Sequence, residues 1–169
     1  MEVMGAGSIS SVPSASPTTA KSAARLDPAA LAHRFGEVRA RTDRLTAPLS
    51  AEDQMVQSMD DVSPTKWHRA HTSWFFAEFV LGRDGTSSAT MDRPEYRFLY
   101  NSYYDAVGAR HPRPNRGLVT RPSSDEVTAY RAAVDVAVLD RLRADDLSAE
   151  QLEILELGTH HEEQHQELL

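Results

Sequence analysis

A chain of 169 residues has room for one domain with a real hydrophobic core and for a tail, but not for a second full domain. Its 25 acidic residues outnumber 18 basic ones, and the resulting formal charge of −7 repels phosphate backbones and anionic lipid, which argues against nucleic acid or a membrane surface as partner. Cysteine is absent, which excludes disulfides, iron-sulfur clusters and thiolate ligands and leaves His, Asp, Glu and water as the donors for any metal.

Residues 1–25 are rich in Ser, Ala, Pro, Thr and Gly and carry too little apolar surface to offset the entropy of ordering, so a disordered tail is expected there, with the domain spanning 26–169. The opening lacks the basic start and apolar run of a secretory signal, which makes the cytoplasm the expected address. No uncharged apolar stretch approaches the ~20 residues that crossing a bilayer requires. Asp27-Pro28 is an N-cap with proline at the first helical position, and Leu31, Phe35, Val38 and Leu45 recur at helical spacing, predicting a first helix to about Thr46.

Ser50 with Asp53 can open a short turn, and Ser63-Pro64 repeats the cap-plus-proline signal before WHRAHTSWFFAEFVLG, a second helix expected to stop at Gly82. Residues 83–122 hold Gly, Pro and many Arg and read as a long loop with one short helix. Ser123 with Glu126 makes a capping box, after which Val127, Tyr130, Val134, Val138 and Leu142 share one face. Ser148 with Gln151 makes another, opening a helix from about Ala149 that is still running at Leu169. No strand-like alternation occurs, so the expected fold class is all-α, four main helices in an up-down bundle.

The chemistry sits on the second and last helices. At ~100° per residue, His161 and His165 lie about 40° apart on one face and can chelate one ion. Ile154, Gly158 and Leu168 share that face, so the imidazoles are expected to project into the bundle, with Gly158 admitting a close neighbour. Glu153, Glu156, Glu163 and Glu167 fall on a solvated flank. A third ligand is offered by His71, which shares a face with Trp67, Trp74 and Phe75. A lone His on an apolar face is ordinarily a hydrogen-bonded core residue, and such aromatic residues are ordinarily core, so the inward pair at i and i+4 is the stronger signal. His68 is expected to point away into solvent, and His33, His111 and His160 to be surface residues. His161-Glu162-x-x-His165 also matches the metalloprotease pattern, but that pattern takes its third ligand downstream, where only four residues remain, and needs strands that are missing here.

Three stretches, SPTKWHRAHTSWFF (63–76), YNSYYDAVGARHPRPNRGLVTRPS (100–123) and LGTHHEEQHQELL (157–169), resemble the DinB-like domain that opens the EgtB-type ergothioneine-biosynthesis sulfoxide synthases. The resemblance covers about residues 27–169. It implies a three-His site for Fe(2+) on His71, His161 and His165, and O2-dependent joining of the sulfur of cysteine or γ-glutamylcysteine to the imidazole of hercynine, giving a sulfoxide. It implies a substrate-binding role for Gln164, which read alone is an ordinary surface amide. Arg110, Arg113, Arg116 and Arg121 could offer guanidinium forks to the thiol substrate's carboxylates, although loop arginines are usually solvated. The family pattern continues into a sulfatase-modifying-factor or lectin-like domain that these residues do not include, so a truncated or partial enzyme is expected. Two other readings share the evidence: a DinB-type thiol transferase using Zn(2+), and a non-catalytic helical module whose histidines merely pack.

Overall fold

The computed structural model describes residues 26–82 and 93–169, so the tail expected at 1–25 lies outside the described residues. Five helices, α1 (Pro28–Thr46), α2 (Thr65–Phe76), α3 (Pro94–Tyr100), α4 (Ser124–Arg143) and α5 (Ala149–Gln166), carry the fold, and no strand occurs among the described residues. The all-α class read from the sequence is therefore the observed one. None of the described helices is long and apolar enough to cross a membrane.

The ends of the helices follow local chemistry. Asp27 accepts from the Ala29 amide and Pro28 opens α1. Both predicted capping boxes close, Ser123 with Glu126 and Ser148 with Gln151, each satisfying two amides that the first helical turn leaves without partners. Ser50 and Asp53 form the expected short turn at Asp53–Met55. At α2 the expectation needs correcting. Pro64 is the cap and no side chain caps this helix, because the Ser63 hydroxyl accepts from Arg116 instead. Beyond Phe76 the helix widens into a π-helical turn, Ala77–Leu81, and stops at Gly82 as expected. α5 ends at Gln166 rather than running through Leu169.

Four helices form the bundle and α3 packs on α2. α1 touches α4 and α5, and α2 touches the same two, so α1 and α2 face each other across the diagonal. Side-chain pairs set the directions. Phe35 meets Phe76 and Arg39 meets Ser73, so α1 and α2 are antiparallel. His71 meets His161 and His68 meets His165, so α5 runs against α2. Arg69 meets Thr128 and Lys66 reaches the Pro122 carbonyl, so α4 runs with α2. The up-down relation holds within the first and last pairs, while the long 77–123 connection lets α2 and α4 run parallel, giving up-down-down-up.

The core is built from Phe35, Trp67, Trp74, Phe76, Val127, Val134, Val138, Leu152 and Leu155, all buried. Leu45, expected on the inner face of α1, is 44% exposed, and Arg39, Thr42 and Thr46 take the inward positions near that end of the helix. At Gly158 α5 lies close against α2: a Cβ there would run into the Phe76 ring and stand 2.9 Å from Cε1 of Phe75.

A buried charge cluster crosses the bundle centre. Glu162 is 0% exposed and accepts from Arg39 Nη1 at 2.8 Å, Arg131 Nη2 at 3.1 Å and the Thr42 hydroxyl at 2.6 Å. Arg39 also donates to Asp135 and Ser73, and Arg131 to Asp43. Burial pushes the Glu162 carboxyl up, but the two guanidiniums and these hydrogen bonds outweigh it and hold the carboxyl at about 2. Replacing Glu162 with Gln keeps the shape and removes the charge that both arginines face. Breaking one partner out of a buried ionic group costs about 3–5 kcal/mol, so Glu162→Gln is expected to lower the unfolding free energy obtained from urea titration by that amount, and an unchanged value would show the cluster to be energetically idle.

Candidate functional site

α2 has no solvent side: every residue from Lys66 to Phe76 is buried. It therefore presents two histidines one turn apart, His68 and His71, toward α5, which presents His161 and His165 toward it. Nε2 of His161 lies 3.2 Å from Nε2 of His71 and 3.0 Å from Nε2 of His165. One donor atom from each of the three imidazoles falls within 4.8 Å of the others. The three histidines singled out from the sequence are brought together.

Proton bookkeeping decides what this convergence can do. His71 Nδ1 stands 2.6 Å from the Tyr100 carbonyl, so it carries the ring's proton and leaves Nε2 a bare lone pair. His161 Nε2 can donate to His71 only if it is protonated, and then it has no lone pair for His165. If it is bare it can accept from His165 but opposes the lone pair of His71. Either way one close contact between neutral rings goes unsatisfied, and His161 Nδ1 is itself buried without a partner. A cation at the centre satisfies all three. Bonds of about 2.1 Å at tetrahedral or right angles put ligand nitrogens about 3.0–3.4 Å apart, which is the separation of His161 from each of the other two.

Aromatic packing fixes the rings. Trp67 stacks on His71 at 4.5 Å and 13°, with Trp74 near-parallel at 5.8 Å, and Phe75 packs on His161 at 4.9 Å. The Trp67 indole is held by its own donation to the Leu99 carbonyl. Over the Trp67 ring lies the Arg116 guanidinium, 3.5 Å from the centroid, donating to Ser63. Burial and the neighbouring Arg113 lower Arg116 to about 10.

A cleft of about 410 Å³ opens onto the histidines, its walls including Trp67, Tyr103, Arg113, Arg116, Gln164 and His165. Gln164, singled out for substrate binding, is exposed on this wall. Of the four loop arginines, Arg113 and Arg116 line the cleft, whereas Arg110 and Arg121 do not, and Arg121 pairs with Glu126. Arg113 donates to the Tyr103 hydroxyl. Leu168, expected beside His161, is exposed at the cleft wall.

His68 departs from its expected place. His68 is 5% exposed instead of solvated, with Nδ1 2.7 Å from Nδ1 of His165. Glu162, which would activate water in the protease pattern argued against above, is bound instead into the charge cluster by Arg39 and Arg131. His33 and His160 are at the surface, paired with Glu37 and Glu163, and His111 is half-buried against Asn115.

Burial is the leading reason that all four clustered histidines resist protonation. His68 falls to about 4 and His165 to about 3, while His71 and His161 also fall. In the unfolded chain each titrates near 6.5, at about the ordinary value. The folded state thus binds fewer protons below that pH, so stability present above about pH 6.5 is lost as pH falls toward about 3. Urea midpoints of the metal-free protein across this window should drop accordingly, and His165→Ala should flatten part of the slope.

A comparison with curated proteins returns no match. The family model described as the DinB superfamily matches residues 34–169, which takes in α1 from Arg34 onward, the other three bundle helices and every histidine of the cluster. The chain belongs to the DinB superfamily of metal-binding helical domains.

Proposed function

We propose that this domain holds one Fe(2+) on His71, His161 and His165 and serves as the iron-binding part of an ergothioneine-type sulfoxide synthase. The observation that carries the reading is the convergence of three Nε2 atoms at the base of a cleft, in a tautomer pattern that neutral imidazoles alone leave unsatisfied. The narrower assignment draws support from the three motif stretches at 63–76, 100–123 and 157–169.

The overall reaction balances as hercynine plus thiol plus O2 giving the sulfoxide plus water. A ring C–H and an S–H are replaced by a C–S bond, sulfur gains one oxygen, and O2 takes up four electrons. A bound ferrous ion would supply the dioxygen and redox chemistry, with three neutral ligands leaving its charge intact and coordination positions open.

The chain's own residues bind and orient. Arg113 and Arg116 make the cleft wall cationic, which suits the carboxylates of cysteine or γ-glutamylcysteine. Gln164, one step before His165 on the same wall, is placed to hydrogen-bond hercynine. Trp67 and Trp74 keep His71 from turning, and the low proton affinity of the cluster keeps its lone pairs free at neutral pH. Further cleft contacts would come from a carboxy-terminal domain of the family type.

The competing reading, a thiol transferase using zinc, rests on the same donor set, because imidazole serves both metals. Anaerobic loading should give one Fe(2+) per chain, and His161→Ala or His165→Ala should abolish it. Hercynine at a hundredfold excess over its Kd should then stabilise the iron form by roughly 2.7 kcal/mol, and mass spectrometry should detect sulfoxide with hercynine, thiol and O2. Stoichiometric zinc with thiol transfer to an electrophile, and no response to hercynine, would replace iron oxidation with transferase chemistry.

A further inference from the structure

His68 has no role in the reading above, yet it is the fourth imidazole of the cluster. It is buried, its ring stands 5.0 Å from that of His165, and Trp67 packs edge-on against it at 5.6 Å. Its only hydrogen bond to another side chain among the described residues runs from Nδ1 to Nδ1 of His165, at 2.7 Å. Nε2 of His68 has no partner there. Among side chains, its close polar contact is therefore with His165 alone in the described residues.

Only one of two facing Nδ1 atoms can carry a hydrogen. A neutral imidazole has a single N–H, so placing it on His165 Nδ1 leaves His165 Nε2 bare, and Nε2 is the atom that stands 3.0 Å from His161 Nε2. The Tyr100 carbonyl imposes the same arrangement on His71 through its Nδ1. Two of the three converging rings thus have an acceptor behind them, one a backbone oxygen and the other a side chain. An imidazole so backed has both its tautomer and its ring angle set before any ion arrives.

We propose that His68 is a positioning residue, which accepts the Nδ1 hydrogen of His165 and thereby aims the bare Nε2 of His165 at the point shared with His71 and His161. The proposal rests on the metal-binding reading of the triad. It makes the first histidine of the WHRAH stretch a functional partner of the second, reached through α5 and not along its own helix.

Zinc affinity of the full chain, measured by competition with a chromogenic chelator, tests it. Loss of an acceptor behind a ligating His weakens metal binding by about ten- to hundredfold, so His68→Ala should do so, while His68→Asn, whose amide oxygen can accept near the same place, should recover most of the loss. Thermal stability of the metal-free variants gives the packing contribution, which should not follow that order. Long-range proton-nitrogen NMR of the zinc form of the unaltered protein should show His165 protonated at Nδ1 and His68 bare at Nδ1, a readout that needs no variant to fold. Zinc lost in His165→Ala but unchanged in His68→Ala, or the shared proton found on His68, overturns the role of His68 alone. An unaltered protein that binds no zinc or iron overturns the metal reading and this proposal with it.

Discussion

The placement of Glu162 is the constraint on which the other features of the site depend. A carboxylate with no access to water survives in the bundle only because two guanidiniums and a hydroxyl, from α1 and α4, converge on it. Its position between α5 residues His161 and His165 means that satisfying it turns α5 to one rotation about its axis. That rotation carries the neighbouring imidazoles, about 60° and 100° round the axis from it, toward α2. The ionic cluster and the histidine cluster are two faces of one helix, and the geometry of the second follows from the demands of the first.

Much of the fold was legible because the signals were local. Asp27-Pro28, Ser123 with Glu126 and Ser148 with Gln151 are caps whose partners lie within a turn, and the structure realises each of them. The i, i+4 relation of His161 and His165 and the bare Gly158 were equally local. His71 could be added because Trp67, Trp74 and Phe75 marked its side of α2.

What escaped the sequence was non-local. The helical wheel assumes a wet side, and α2 lacks one, so His68 was assigned to solvent although every face of that helix is packed. Arg39, Arg131 and Glu162 carried no signal of a shared buried cluster, because their partners lie up to 123 positions away in sequence. Arg116 belonged to a loop in which arginines are ordinarily hydrated, and nothing in its neighbours announced that it would lie on the Trp67 ring. Ser63 carried a capping pattern but was recruited by that same arginine. In each case the decisive partner came from another element, which periodicity cannot see.

Gly158 gives the arrangement its scale. Since only a hydrogen atom fits between α5 and the two phenylalanine rings of α2, that residue can stand at one level of the bundle and no other. Three residues further on comes His161, and four after that His165, so the depth at which the imidazoles meet is counted off from a fixed stop. A slip of α5 by one position along its axis would bring Leu157 or Thr159 to the stop, and neither could be seated. The helix is thus indexed against its neighbour as a key is by its shoulder, and the spacing from glycine to histidine works as a length standard written into the chain.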